Sequence, residues 1–96
     1  MDTRDEIVNT IKSLHGHLIK YKVREIGVFG SVVRGEQNKE SDIDVLVDFQ
    51  EDADLLDLVG LGLFLEERLG RKVDIVPRKT LREEIRDAVL REVVPA

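Results

Sequence analysis

Hydrophobic and polar positions change their period several times along the chain. From Thr3 onward, apolar residues recur at Ile7, Ile11, Leu14 and Leu18, the spacing of one helix face. Thr3 and Glu6 stand three apart ahead of that run, as a capping box requires, so a helix is expected near residues 3–20. Arg24 to Gly30 encloses the short apolar run Ile26-Gly-Val-Phe and is predicted as a buried first strand. Val32-Val-Arg-Gly reads as one helical turn, and Gly35 to Ser41 as a polar loop. Over Asp42 to Phe49 acids and apolar residues then alternate, the period of a second strand. Asp42 and Asp44 would project from one face of it, about 7 Å apart, with Ile43, Val45, Val47 and Phe49 pointing to a core on the other.

The second half continues the alternation of helix and strand. Gln50 to Asp54 is a turn, and Asp54 is placed to cap a helix over Leu55–Leu69. The apolar residues of that helix cover more than one face. It therefore either packs closely on the sheet or forms a homo-oligomeric interface through residues 55–69. Gly60 and Gly62 within it cost about 1 kcal/mol each relative to Ala. Gly70 fits the left-handed residue that ends a helix. Lys72 to Val76 is a third strand, stopped by Pro77. Asp74 lies between the β-branched Val73 and Ile75, where an unpaired buried carboxylate would be costly, so it is a third candidate for a shared acidic site. Thr80 and Glu83 form a second capping-box pattern, opening a last helix with Leu81, Ile85 and Val89 on one face. Val93 to Ala96 is expected to be a frayed end or a docking tail.

Composition narrows the class. Ninety-six residues suit one domain, residues 1–96, with a modest aliphatic core. There is no cysteine, hence neither a disulfide framework nor a thiolate metal site. No apolar run approaches a membrane span, and the acidic, polar start carries no signal-peptide pattern. A cytoplasmic protein with no membrane partner is expected. A net charge of −5 argues against direct nucleic-acid binding. His15 and His17 are two apart and do not share a helix face. They are read as partly exposed helix residues rather than metal ligands.

Three carboxylates on two adjacent strands can hold two Mg²⁺ ions about 3.5–4 Å apart, since Mg²⁺ prefers hard oxygen ligands shared with phosphates and water. Beside them, Gly30 lets backbone approach a ligand closely, and Ser31 is a good N-cap that leaves amides free for phosphate oxygens. Neither GxxxxGK[ST] nor GxGxxG is present, so the common phosphate loops are not the scheme. An isolated Asp-x-Asp is a weak signal. The ordered set of strand, Gly-Ser, short helix, ten-residue gap, Asp-Ile-Asp and then Val-Asp-Ile in another strand is far more specific.

Gly30-Ser31, ten residues and Asp42-Ile-Asp44 match the GS-x10-D-x-D pattern of the polymerase-β-like nucleotidyltransferases. GSVVRGE followed by SDIDVLVDF more closely resembles the minimal nucleotidyltransferases, the MNT antitoxins that accompany HEPN-domain toxins. The resemblance covers nearly the whole chain, with Val33 where many members carry a small residue. It implies an α+β or α/β fold, a small mixed β-sheet with flanking helices. It implies Mg²⁺ (two ions, or Mn²⁺ in their place) at Asp42, Asp44 and Asp74, which are also the catalytic residues. ATP would be bound through Gly30 and Ser31, and Arg34, which matches the family's arginine, would be a phosphate contact, a structural contact or an ordinary surface arginine. The implied reaction is transfer of AMP from ATP to a hydroxyl, a tyrosine, on a HEPN-type ribonuclease toxin, with release of pyrophosphate. Two alternatives stand beside it. A transferase acting on a small molecule such as an antibiotic usually carries a substrate domain that is missing here. A binding antitoxin that acts by contact alone has no need of three aspartates.

Overall fold

The computed structural model describes residues 3–36 and 41–96. The first helix, α1 (Arg4–Ser13), is capped by Thr3, whose hydroxyl accepts the Glu6 amide at 3.2 Å. The expected helix over residues 3–20 does not run through. It stops at Leu14, resumes as α2 (His15–Leu18) and tightens into a 3₁₀ turn, Ile19–Tyr21. The interruption follows from the local chemistry. The Thr10 and Ser13 hydroxyls donate to the carbonyls of Glu6 and Thr10, competing with the helix ladder, and Gly16 adds no helical preference. Ile7, Ile11, Leu14 and Leu18 nonetheless all stay buried, so the apolar stripe survives the break.

Strand β1 (Val23–Phe29) leads into the single turn α3 (Ser31–Arg34), and β2 (Ile43–Phe49) follows. Of the predicted loop Gly35–Ser41, residues 37–40 lie outside the described residues. β1 and β2 pair antiparallel, with one slip of register between Val23 and Glu25. Helix α4 (Leu55–Leu69) then carries the chain across to β3 (Val73–Pro77), which pairs parallel with β2. Both ends of α4 fall where the sequence puts them. Asp54 and Asp57 exchange side-chain-to-amide hydrogen bonds at 3.0 Å each, a full capping box, and Gly70 ends the helix in the left-handed conformation.

A 3₁₀ turn, Arg78–Thr80, precedes α5 (Glu83–Glu92). The second capping box does not form: Arg82 is the cap residue, and the Thr80 hydroxyl donates instead to the Pro77 carbonyl at 2.9 Å. Proline ends β3 in an extended conformation, and the turn it starts draws Thr80 away from the helix. Nor is the end of the chain frayed. Val94–Pro95 forms a short strand, β4, antiparallel to β1. The mixed sheet therefore has the order β3-β2-β1-β4.

The sheet is covered on both faces. Ile43, Val45 and Val47 of β2 join Ile26 and Val28 of β1, the α1–α2 stripe and Leu61, Leu65 and Leu69 of α4 in the main core. On the opposite face Leu46 is buried with Leu81 and Val89 near α5, so the acidic face of β2 is only partly open. Within α4, the close-packing reading accounts for Gly60: a Cβ there would lie 2.9 Å from the Tyr21 ring. It does not account for Leu55, Leu56 and Leu63, which are 72 %, 79 % and 63 % exposed. Leu61 and Leu65 are fully buried. Truncating either to Ala is expected to cost about 2–5 kcal/mol, read as a lower denaturant midpoint with an unchanged slope. A loss under about 1 kcal/mol would mean that α4 does not close this core.

Candidate active site

The site lies where β1 ends. Gly30 leaves the strand at φ 79°, ψ −148°, a conformation that is essentially glycine's alone. A side chain there would also run into the Asp44 carboxylate. Backbone and carboxylate thus approach each other as closely as the absence of a Cβ allows. The Gly30 carbonyl accepts the amides of Val33 and Arg34, both at 3.1 Å, which closes the α3 turn. Gly30 is the cap of that turn and Ser31 its first residue, so Ser31 does not take the capping position that its residue type suggested.

Register brings the acids together. Across from the end of β1, Phe29 pairs with Asp44; on the other side Asp44 pairs with Asp74. Paired residues of a parallel ladder project from the same face, and so does the residue two before on one strand. Asp42, Asp44 and Asp74 therefore share the face beside Gly30. Asp44 is half-buried, while Asp42 and Asp74 are exposed. The expected burial of Asp74 is thus not found: β3 is an outer strand of the sheet, and this side chain faces solvent. Burial pushes the Asp44 pKa above its ordinary value, with further upward pressure from the charges of Asp74 and Asp42 and a smaller opposing pull from Arg34.

One acid at the site carries no local sequence signal. Glu92, in the last turn of α5, accepts the Gly30 amide through Oε2 at 3.2 Å and the Arg34 guanidinium through Oε1 at 2.7 Å. Arg34 also pairs with Glu36. Sixty-two residues separate Glu92 from Gly30, so no short motif joins them. Its place three residues after Val89, which packs against the sheet, was the one available hint.

The donor set is all hard oxygen, and the repulsion felt by Asp44 is what a bound cation would relieve; on both counts it suits Mg²⁺. Among the described residues, no three acidic or histidine side chains are gathered tightly enough to form a finished cage. A cation at these acids would have to draw the rest of its shell from substrate phosphate and water. The histidines stand apart from the acids: the ring of His17 lies 5.4 Å from that of Phe64, and His15 borders a separate cavity. That cavity, of about 430 Å³, is lined by residues such as Leu18, Gly27, Leu46, Leu90 and Val93, and by none of the three aspartates. It is not part of the site.

A sheet that aligns aspartates from two parallel strands beside a glycine turn is the framework of a nucleotidyl-transfer enzyme. The chain belongs to the nucleotidyltransferase domain family, which it matches over residues 4–94. It is 52 % identical over 75 residues to the protein adenylyltransferase MntA of Thermococcus cleftensis, an alignment covering 78 % of this chain and 76 % of that one. It is thus an MntA homologue and a nucleotidyltransferase. A solved structure assigned as a minimal nucleotidyltransferase has a TM-score of 0.77 at 39 % identity, covering 93 % of this chain and 95 % of the other. A chain from a toxin–antitoxin crystal structure with AMP-PNP gives 0.73 at 28 % identity, covering 91 % and 69 %. The expected polymerase-β-like arrangement, a small mixed sheet with flanking helices, is the fold observed. Among the described residues, no helix is long and apolar enough to cross a membrane.

Proposed function

We propose that this enzyme transfers AMP from ATP to a hydroxyl, most simply a tyrosine, on a HEPN-type ribonuclease toxin and silences it, acting in the cytoplasm as one domain. The observation that carries the reading is the register of Asp44 with Asp74 next to Gly30. Homology to MntA and likeness to a toxin–antitoxin complex with AMP-PNP support it. Asp42 and Asp44 would hold the nucleotide-bound Mg²⁺, or Mn²⁺ in its place, and Asp44 with Asp74 a second ion. Bound there, such ions neutralise charge on the phosphates and on the leaving group.

The chain's own residues have separate tasks in this scheme. Gly30, Ser31 and Arg34 seat the phosphates. The acceptor oxygen attacks the α-phosphorus, an O–P bond forms, and the bond from that phosphorus to the β-bridging oxygen breaks. Pyrophosphate leaves, and the hydroxyl proton passes to Asp74, which is exposed and so accessible from the acceptor side. The acceptor brings its own surface, and the exposed Leu55, Leu56 and Leu63 of α4 offer a patch to receive it. An added AMP places bulk and negative charge where an RNA phosphate would sit.

The test incubates the toxin with ATP, Mg²⁺ and this protein, then weighs the toxin. A mass gain of one or more adenylyl groups is expected. A toxin that is inhibited without gaining mass would mean silencing by contact alone. Transfer to a small hydroxylated acceptor but not to the toxin would move the enzyme to the small-molecule class.

A further inference from the structure

We propose that Glu92 is a built-in competitor of the nucleotide, holding the two donors that a phosphate group needs and yielding them only when one binds. The inference rests on the nucleotidyl-transfer reading of the site. A carboxylate and a phosphate are both acceptors that take charge-assisted hydrogen bonds from backbone amides and guanidinium groups. Glu92 engages one donor of each kind, the Gly30 amide with one oxygen and Arg34 with the other. Neither oxygen can share its place with a phosphate oxygen.

The surroundings favour this assignment over that of a surface ion pair. The Glu92 side chain is only 21 % exposed, against 53 % for Arg34, so the acid is the enclosed partner. Its charge also opposes the ionised form of Asp44, as do Asp74 and Asp42. A fourth carboxylate in that field is unfavourable unless donors hold it there, and those donors are the ones described. Its backbone is fixed at the end of α5 and in the segment that follows. The Val93 amide donates to Val89 at 2.9 Å, and Ala96 donates to Ile26 of β1 at 3.0 Å. Release is therefore a rotation of one side chain, with α5 left in place. Incoming phosphate takes over Gly30 and Arg34, and Glu92 turns toward solvent. The apparent affinity for ATP is then lower than the site would give without this acid.

Calorimetry with a non-hydrolysable ATP analogue and Mg²⁺, together with steady-state transfer, tests the proposal on the full chain. Glu92→Gln and Glu92→Ala are expected to bind the analogue about tenfold more tightly, the scale of one charge-assisted hydrogen bond. KM for ATP should fall in step, with kcat within about twofold of the wild type. Glu36→Gln, which removes another acid from Arg34 but none from Gly30, should change binding by less than about twofold. Thermal melts confirm folding, and the isosteric Gln variant decides if the Ala variant does not fold. Unchanged or weaker binding in Glu92→Gln beside a wild type that binds would overturn this inference alone. So would an equal gain in Glu36→Gln, which would make the effect one of net charge. Absence of nucleotide binding in all of these proteins would overturn the functional reading as well.

Discussion

Asp44→Ala is expected to lower AMP transfer on the order of 10³-fold or more while leaving the fold intact, because it removes the carboxylate common to both proposed ion positions. Asp44 is the central acid: it pairs in register with Asp74, abuts Gly30 and is the half-buried member of the three. Mass spectrometry of the acceptor reads the rate, and circular dichroism the fold. A variant that keeps more than a tenth of wild-type transfer would exclude Asp44 as a shared ligand. The same residue makes a pH prediction for the metal-free protein. Its pKa is raised on folding from 3.8 by burial, by Asp74 and by Asp42. The folded state therefore holds this proton more tightly than the unfolded one. The resulting stabilisation is complete below the unfolded value and is lost as pH rises through the folded one. At neutral pH the ionised group works against folding. Asp44→Asn should accordingly melt higher than wild type at pH 7 without metal, and the gap should close as the pH is lowered toward 4. Mg²⁺ should raise the melting temperature of the wild type more than that of the variant. An Asn variant that melts lower at pH 7 would contradict this electrostatic account.

Gly30→Ala is expected to lose transfer and about 2–4 kcal/mol of stability together. Two penalties coincide at that position: a backbone conformation that L-residues avoid, and a Cβ that would occupy the space of the Asp44 carboxylate. Gly70→Ala supplies the comparison. Gly70 also has a positive φ, of 68°, but nothing lies within 4 Å of where its Cβ would be. It should cost about 1 kcal/mol and leave transfer unchanged. Denaturant unfolding and the transfer assay on both variants separate the terms. Equal stability losses would mean that neither the ψ of Gly30 nor the approach of Asp44 adds to the cost of a positive φ.

What could be read in advance depended on how local the determining interactions are. The period-two run of β2 and the capped, glycine-terminated α4 are set by residues within a few positions of one another, and both formed nearly as the pattern indicates. The meeting of Asp44 with Asp74 needed one further inference, that the third strand lies beside the second. The break at Leu14 was obscured because the apolar stripe continues through it, and a stripe reports burial rather than unbroken helix. At Thr80 a capping pattern was present, but Pro77 and the turn after it claimed the hydroxyl. Asp74 looked buried because its neighbours are β-branched, yet its strand lies at the rim of the sheet, where alternate residues face water. Glu92 was illegible for another reason. Its partners, Gly30 and Arg34, are reached only once α5 is folded back over the sheet, a long-range event that no local spacing announces.

The short strand β4 has a consequence for self-association. It lies along the outer side of β1, where an uncovered edge would offer amides and carbonyls to any passing chain. Ala96 directs its amide inward to Ile26, so strand alternation turns position 95 outward, and proline there has no N–H to give. A further strand docking on this side would find a gap in its ladder at Pro95. The residue thereby works against edge-to-edge association on the β4 side of the sheet.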